Sequence, residues 1–349
     1  MVINKMKIKH FLLFYLFGTL MSQLLPRLKI FMNNGNFILM IAALIYVIVQ
    51  YLITQYIRKL KYLYILYMLA SVSFIMIDHK SIIIFTSIVS FSCLKSLMSL
   101  DEMKMLESDG YGILRAYAAF GMAVGAIVAG WLNKAYKLYY IVIYIVVGII
   151  VYLLIKNDEV KSRKNDQYCF NKNYIIYLII FFLLYSITSL DQYLVIEKLI
   201  AMNASGQQIA LKWSIQALCE IPALFLLDRL LKNYTLNQYL MIAIGMYSFK
   251  FFIYGFANDI NTILIGASLQ LLTLPLLNYV SKFIIKKYSY GSLKNQLFAS
   301  IFFQGLSLAV APLLSLLFIN YINLSLFLCS LFILMIGFIV MYLQRKNNI

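Results

Sequence analysis

Residues 111–132 read YGILRAYAAFGMAVGAIVAGWL, an apolar stretch that is long enough to span a membrane and carries one arginine, Arg115, near its start. A guanidinium group in or near hydrocarbon costs at least ~2.5 kcal/mol, so it is retained there only where water, a carboxylate or a substrate meets it. Small residues that would let a second helix approach closely lie at Ala118, Gly121, Gly125 and Gly130. The stretch therefore predicts a membrane helix beside a polar cavity.

The composition excludes a water-soluble globular protein. The 349 residues are 63% hydrophobic and 12% charged, with a mean hydropathy of +0.85, whereas about a quarter of the residues in soluble domains are charged. At ~20 apolar residues per span, the pattern predicts an all-α integral membrane protein with twelve transmembrane helices. The predicted spans are 11–25, 36–56, 62–77, 81–100, 113–132, 138–155, 173–195, 208–227, 238–256, 262–284, 297–319 and 324–343.

The net charge of +17 indicates orientation and contact with anionic lipid, and does not indicate nucleic acid. About twenty of the thirty basic residues fall in segments that are cytoplasmic if the N-terminus is cytoplasmic. Both termini are therefore expected in the cytoplasm, and the protein in the cytoplasmic membrane. The first predicted span also resembles a signal peptide, but no small-residue cleavage site follows it.

The longest polar stretch is KNDEVKSRKNDQYCFNK at 156–172. It predicts a cytoplasmic linker between an N-terminal six-helix half, 1–155, and a C-terminal six-helix half, 173–349. Such parallel repeats are typical of transporters whose halves rock about a site near the membrane midplane.

Charged residues inside the predicted spans are the first candidates for a site, because each needs a cavity, a partner or water. Span four carries Lys95, and Asp101 and Glu102 follow near its inner end. Asp101 or Glu102 is expected to reach Arg115 across the short 103–110 turn and to form a substrate site with it and Lys95. Both acids would also be explained as solvated groups at the membrane interface.

Span eight repeats polar residues every four positions, at Lys212, Gln216 and Glu220, so one helix face carries all three. Gln216 and the neighbouring Trp213 are candidate substrate ligands, the latter by stacking on a planar or sugar group. Pro222 removes a backbone donor two residues after Glu220 and predicts a bend in the helix. The backbone carbonyl freed by the bend needs a polar partner.

Glu220 is the candidate proton-coupling residue, because a buried carboxyl group can gain or release a proton when a neighbouring cation moves. Lys250 in span nine is the expected counter-charge. A purely structural pair of Glu220 and Lys250 that joins two helices would give the same pattern. Asp191 near the outer end of span seven is a further candidate for proton coupling; it could also line an entrance, or could simply be solvated.

Nothing in the sequence indicates a cofactor or a metal. The four cysteines have no metal-ligand spacing, and the two histidines, His10 and His79, lack neighbours suited to metal binding or nucleophilic catalysis. The phosphate-binding pattern Gly-x-x-x-x-Gly-Lys-Ser/Thr is missing.

The segment YGILRAYAAFG at 111–121 resembles the fifth-span signature of the major facilitator superfamily. The resemblance is to the branch with lactose permease, nucleoside-proton symporters and the 3-phenylpropionic acid transporter. Tyr111, Gly112, Arg115 and Gly121 match, and Arg115 falls on the arginine that binds sugar in lactose permease. Asp101 looks like the carboxylate that this branch carries late in span four.

ALCEIPALFLLDRLLKNY at 217–234 resembles the Glu-Ile-Pro segment of span eight in the same branch, which puts Glu220 on the acidic position. Lys250 stands where the branch usually has arginine, and Thr273 where it often has histidine. The resemblance implies a major facilitator fold and transport by alternating access.

The sequence thus predicts a secondary active transporter, not an enzyme, that moves a small polar or amphipathic solute with coupling to protons. Its expected partners are the solute, protons and the lipid bilayer, and it is expected to be a monomer. The alternatives are a non-transporting sensor or assembly protein of the same fold and an integral-membrane transferase acting on lipids.

Overall fold

The computed structural model describes residues 2–31, 35–55, 60–106, 111–135, 137–155, 170–230, 235–290 and 292–347. These residues are almost entirely helical. The α-helices are α1 Val2–Phe31, α2 Gly35–Gln55, α3 Leu60–Met76, α4 Lys80–Leu106, α5 Tyr111–Ala135, α6 Lys137–Ile155, α7 Lys172–Thr188, α8 Leu194–Ala201, α9 Gly206–Leu230, α10 Leu236–Phe256, α11 Ile260–Ser268, α12 Leu274–Tyr288, α13 Leu293–Ala299, α14 Ser307–Phe318 and α15 Ile322–Asn347.

Ten stretches of the described residues are long and apolar enough to cross a membrane. Helix α3 is apolar but has only 17 residues, and the last stretch, Lys294–Arg345, runs for 52 residues through a short 3₁₀ turn at Ile319–Tyr321. The count of twelve spans stays a prediction. Large apolar side chains such as Leu138 and Phe338 are exposed on the outside of the bundle, as lipid-facing residues are.

The first helix differs from its prediction. It runs through Pro26 to Phe31, whereas the predicted span covered only 11–25. A proline inside a membrane helix is tolerated when other groups satisfy the freed backbone carbonyl, so Pro26 was a poor stop signal. Residues 156–169, most of the predicted linker, lie outside the described residues.

Helices α1 and α5 touch through their backbones. A Cβ atom on Gly121 would lie 1.9 Å from the carbonyl oxygen of Phe11, and one on Gly125 would lie 2.1 Å from that of Tyr15. Only glycine fits at such a crossing, which is the small-residue packing predicted for α5. The crossing fixes the aromatic face of α1 against the start of α5.

Two long stretches of the C-terminal part, residues 170–347, are interrupted by 3₁₀ turns. Ser189–Gln192 separates α7 from α8, and Leu269–Leu272 separates α11 from α12. Since α8 extends the seventh span to Ala201, Asp191 lies inside that span and not near its outer end as predicted. Each turn exposes backbone groups that need polar partners inside the membrane.

Candidate functional site

A cavity of about 120 Å³ lies between the N-terminal part, residues 2–155, and the C-terminal part. This volume would hold on the order of ten water molecules. Both parts line it: Phe14, Phe17, Tyr46, Lys95, Met98, Ser99, Glu102, Arg115 and Met122 from the first, and Tyr185, Thr188, Ser189, Asp191, Gln192, Trp213, Gln216, Glu220, Tyr247, Gln270, Leu274, Asn278, Gln304, Ser307 and Leu308 from the second.

The N-terminal wall of the cavity is formed by Phe14, Phe17, Lys95, Glu102 and Arg115. Arg115 Nη1 donates to Glu102 Oε1 at 2.8 Å, and the guanidinium carbon lies 4.8 Å from the centre of the Phe14 ring. The ammonium of Lys95 lies 4.7 Å from the centre of the Phe17 ring. The glycine crossing of α1 and α5 thus places Arg115 against Phe14, and α4 places Lys95 against Phe17.

Lys95 differs from the other cations that border the cavity. Among the described residues, no hydrogen-bond acceptor and no carboxylate within 4 Å meets its ammonium group. A ring face compensates a desolvated cation by about 2 kcal/mol, which is less than the several kcal/mol that desolvating an ion costs. Glu102 attracts Lys95 only from beyond 4 Å, so direct hydrogen bonds to its ammonium group must come from water or a ligand in the cavity.

The C-terminal wall is built around Asp191, in the 3₁₀ turn between α7 and α8. Lys212 Nζ lies 2.9 Å from Asp191 Oδ1 and also donates to its backbone oxygen at 2.9 Å. Lys250 Nζ and Gln216 Nε2 donate to Oδ2 at 2.7 and 2.5 Å. The backbone carbonyl freed by the turn and Asp191 Oδ2 are therefore hydrogen-bonded, while Oδ1 has the ion-pair contact with Lys212 and no hydrogen bond among the described residues.

Gln270, in the second 3₁₀ turn, connects this network to Glu220. Its Oε1 accepts from Lys250, and its Nε2 donates to Glu220 Oε1 at 3.1 Å. No ion pair within 4 Å joins Glu220 to any described cation. The predicted pairing of Lys250 with Glu220 is thus replaced by a contact through Gln270, because Asp191 lies inside the span and takes the lysine.

Asp101, a predicted substrate ligand, does not line the cavity. Its Oδ1 lies 2.6 Å from Lys9 Nζ and its Oδ2 contacts His10 Nδ1. One residue along a helix turns a side chain by about 100°, so Asp101 faces the start of α1 while Glu102 faces Arg115. Glu102, the alternative that the sequence offered for the contact with Arg115, is the acid of the N-terminal wall.

Glu102 and Glu197 each join the two parts of the chain. Glu102 Oε2 accepts from Lys282 of α12 at 2.9 Å while Oε1 binds Arg115. Glu197 of α8 contacts Lys29 of α1, and its Oε1 accepts from Asn36 at 2.8 Å. These contacts are named the Glu102 bridge and the Glu197 bridge.

The two bridges lie at different heights along α1. The Glu102 bridge lies beside Phe14, whose ring centre is 4.8 Å from the Arg115 guanidinium carbon, and the Glu197 bridge lies at Lys29. Fifteen residues of helix separate these two positions by about 22 Å. Glu102 and Arg115 are themselves lining residues of the cavity, whereas Lys29 and Glu197 are not among them. The two parts of the chain are thus joined at two levels.

Six of the residues singled out from the sequence line the cavity: Lys95, Arg115, Trp213, Gln216, Glu220 and Asp191. Lys212 was placed on the polar face of span eight but given no role, and Lys282 and Gln270 were not singled out. Lys282 lies at the inner end of the predicted span 262–284, where a lysine is ordinarily solvated, and Gln270 is an uncharged residue whose only signal is its polarity within an apolar run. No group of three His, Cys, Asp or Glu side chains among the described residues could hold a metal ion.

No protein-family model and no curated protein sequence matches the chain. Solved structures do match it. An alanine mutant of the nucleoside transporter NupG superposes with a TM-score of 0.72 at 11% identity, covering 97% of this chain and 98% of that one. The human organic anion transporter MFSD10 superposes with a TM-score of 0.68 at 10% identity and the same coverage.

The chain has the major facilitator fold. The unmutated NupG structure also matches, with a TM-score of 0.69 at 12% identity over 97% of this chain and 98% of that one. At such identities the match establishes the major facilitator fold alone, and does not decide between branches of that fold. The predicted all-α membrane architecture is therefore confirmed as a fold, without the count of twelve helices.

Proposed function

We propose that the protein is a secondary active transporter that moves a small polar or amphipathic solute across the cytoplasmic membrane by alternating access. The observation that carries this proposal is a polar cavity between the two parts of the chain, which are joined by two bridges at different heights along α1. Opening the Glu102 bridge alone exposes the cavity on one side, and opening the Glu197 bridge alone exposes it on the other. A solute in the cavity then passes without a continuous pore.

Proton coupling is assigned to Glu220. It is the one acid lining the cavity that has no cation within 4 Å among the described residues, since Glu102 and Asp191 each bind two. Its protonation can change without breaking an ion pair. Gln270 links it to Lys250, so a shift of α9 against α10 changes the field at the carboxyl group.

The remaining predictions complete the proposal. Residues 1–155 and 173–349 form the two six-helix halves, the 156–172 segment and both termini lie in the cytoplasm, and the protein works as a monomer in the bilayer. Arg115, Lys95, Gln216 and Trp213 contact the solute.

Uptake into proteoliposomes with an imposed proton gradient, screened over neutral, cationic and anionic solutes, tests this function. We expect at least one solute to accumulate, and the accumulation to stop when an ionophore dissipates the gradient. Failure of every solute to move, in uptake and in exchange, would favour a non-transporting sensor.

A further inference from the structure

The groups around the cavity carry an excess of positive charge. Five cations, Lys95, Arg115, Lys212, Lys250 and Lys282, border it or bind its acids, against three carboxylates, Glu102, Asp191 and Glu220. The difference is two positive charges with every carboxyl group ionised. In a low-dielectric site, such an excess is stable only if something negative or strongly polar neutralises it.

The excess is located in the N-terminal wall. In the C-terminal wall, Lys212 and Lys250 are balanced by Asp191 and Glu220. In the N-terminal wall, by contrast, Glu102 is the one acid beside three cations, Arg115, Lys282 and Lys95. It contacts only Arg115 and Lys282. Lys95 is left as a cation on the cavity wall with no acceptor among the described residues.

The unused polar groups of the wall are mostly donors. Trp213 Nε1 is buried beside the cavity without an acceptor. Glu102 uses one N–H group of Arg115, and a guanidinium has five. Two buried acceptors of the described wall residues also lack a hydrogen bond: Asp191 Oδ1, which Lys212 pairs with, and Gln192 Oε1, which suits a hydroxyl or amine elsewhere on the same molecule. A surface of free cationic donors is complementary to an oxyanion.

We infer that the solute is a small organic anion, whose carboxylate or phosphate group is bound between Lys95 and Arg115. This inference rests on the proposed function and names the substrate class of that site. The anion takes the place of water beside Lys95, and charge-assisted hydrogen bonds replace the weaker hydration of a confined ammonium. Trp213 Nε1 supplies a further donor at the far side of the cavity.

Fluorescence of the protein provides a direct binding test. The chain has two tryptophans, Trp131 and Trp213, and Trp131 is exposed on the outer surface. In a Trp131→Phe background, Trp213 is therefore a reporter inside the cavity. Purified protein is titrated without any gradient with two matched pairs of probes: benzoate and benzamide, and glucose 6-phosphate and glucose.

We expect at least one anionic probe to bind about tenfold or more tighter than its neutral partner, as a hydrogen bond to a charged group provides. Lys95→Met should reduce that preference to within about twofold, since the bond is lost, while Lys95→Arg should retain it. Lys80→Met is the matched control, because it removes an exposed lysine from the same helix, and it should leave the preference unchanged.

Equal binding of the neutral probes, no saturable response to either anion, or a preference that survives Lys95→Met would overturn the inference. Transport of neutral solutes alone would overturn it and leave the proposed function standing. Binding of the anions by a protein that moves no solute would refute the proposed function and retain the site. If Lys95→Met does not fold, Lys95→Gln repeats the test.

Discussion

Asp191 in the C-terminal wall and Glu102 in the N-terminal wall each bind two cations, but the walls around them differ. The C-terminal wall lies on helices broken by 3₁₀ turns, and its two lysines are matched by two acids. The N-terminal wall lies on continuous helices and holds three cations around one acid, counting Lys282 from across the cavity. A balanced network fixes its own geometry, whereas an unbalanced one attracts a ligand. This difference is why we propose proton coupling at the C-terminal wall and binding of the charged group of the solute at the N-terminal wall.

The largest effect on stability is expected from Asp191→Asn. This change leaves Lys212 and Lys250 buried without their shared carboxylate, and breaking a buried ion pair costs about 3–5 kcal/mol. Scanning fluorimetry in detergent should show a large fall in unfolding temperature. Combining Asp191→Asn with Lys212→Met should recover part of the loss, and no recovery would mean that the network is not held by charge balance.

A smaller loss is expected from Gly121→Ala, which tests what positions the N-terminal wall. The added methyl group would meet the Phe11 carbonyl, and overpacking of this kind costs about 1–3 kcal/mol. Gly245→Ala is the control, because a Cβ atom there meets nothing within 4 Å. If the two variants unfold at the same temperature, the crossing of α1 and α5 does not set the wall.

Arg115→Lys should lower stability less than Asp191→Asn does, because a positive charge beside Glu102 is retained. Transport should nevertheless collapse, since lysine lacks the planar fork that binds an oxyanion through two donors. Membrane protein level and uptake are measured together, with Arg345→Lys at the exposed end of α15 as control. Normal uptake by Arg115→Lys would remove the residue from the solute site.

The smallest effect on stability is expected from Glu220→Gln, because the amide oxygen can still accept from Gln270 and an ordinary hydrogen bond is worth about 1 kcal/mol. Accumulation driven by a proton gradient should be abolished, while exchange of solute across the membrane persists, since exchange need not release the proton. Counterflow and pH-driven uptake distinguish the two. Intact pH-driven uptake would move the coupling acid elsewhere.

The sequence was enough to predict the all-α membrane architecture and the ionisable residues that line the cavity. Apolar stretches about 20 residues long indicate membrane spans. Ionisable residues within such spans are rare enough that each can be named as a candidate site residue. Lys95, Arg115, Glu220 and Asp191 were found in this way. The side chains that these residues contact were not predicted.

Pairings depend on helix rotation and on breaks that the sequence does not mark. Asp101 and Glu102 are adjacent, and only the orientation of α4 decides which of them meets Arg115. The 3₁₀ turn at Ser189–Gln192 contains neither proline nor glycine, so the sequence does not indicate that the span continues through it to Ala201. For that reason Glu220 was predicted as the partner of Lys250 in place of Asp191.

Alternating exposure of the cavity is the central claim, and accessibility of a single cysteine tests it most directly. Ser189 is buried on the cavity wall. Ser189→Cys is introduced after replacing the four native cysteines, and a membrane-impermeant maleimide is applied to one side of the vesicles at a time. We expect labelling from either side, and protection from both when a transported solute is saturating. Labelling from one side only, or from neither, would contradict alternating access.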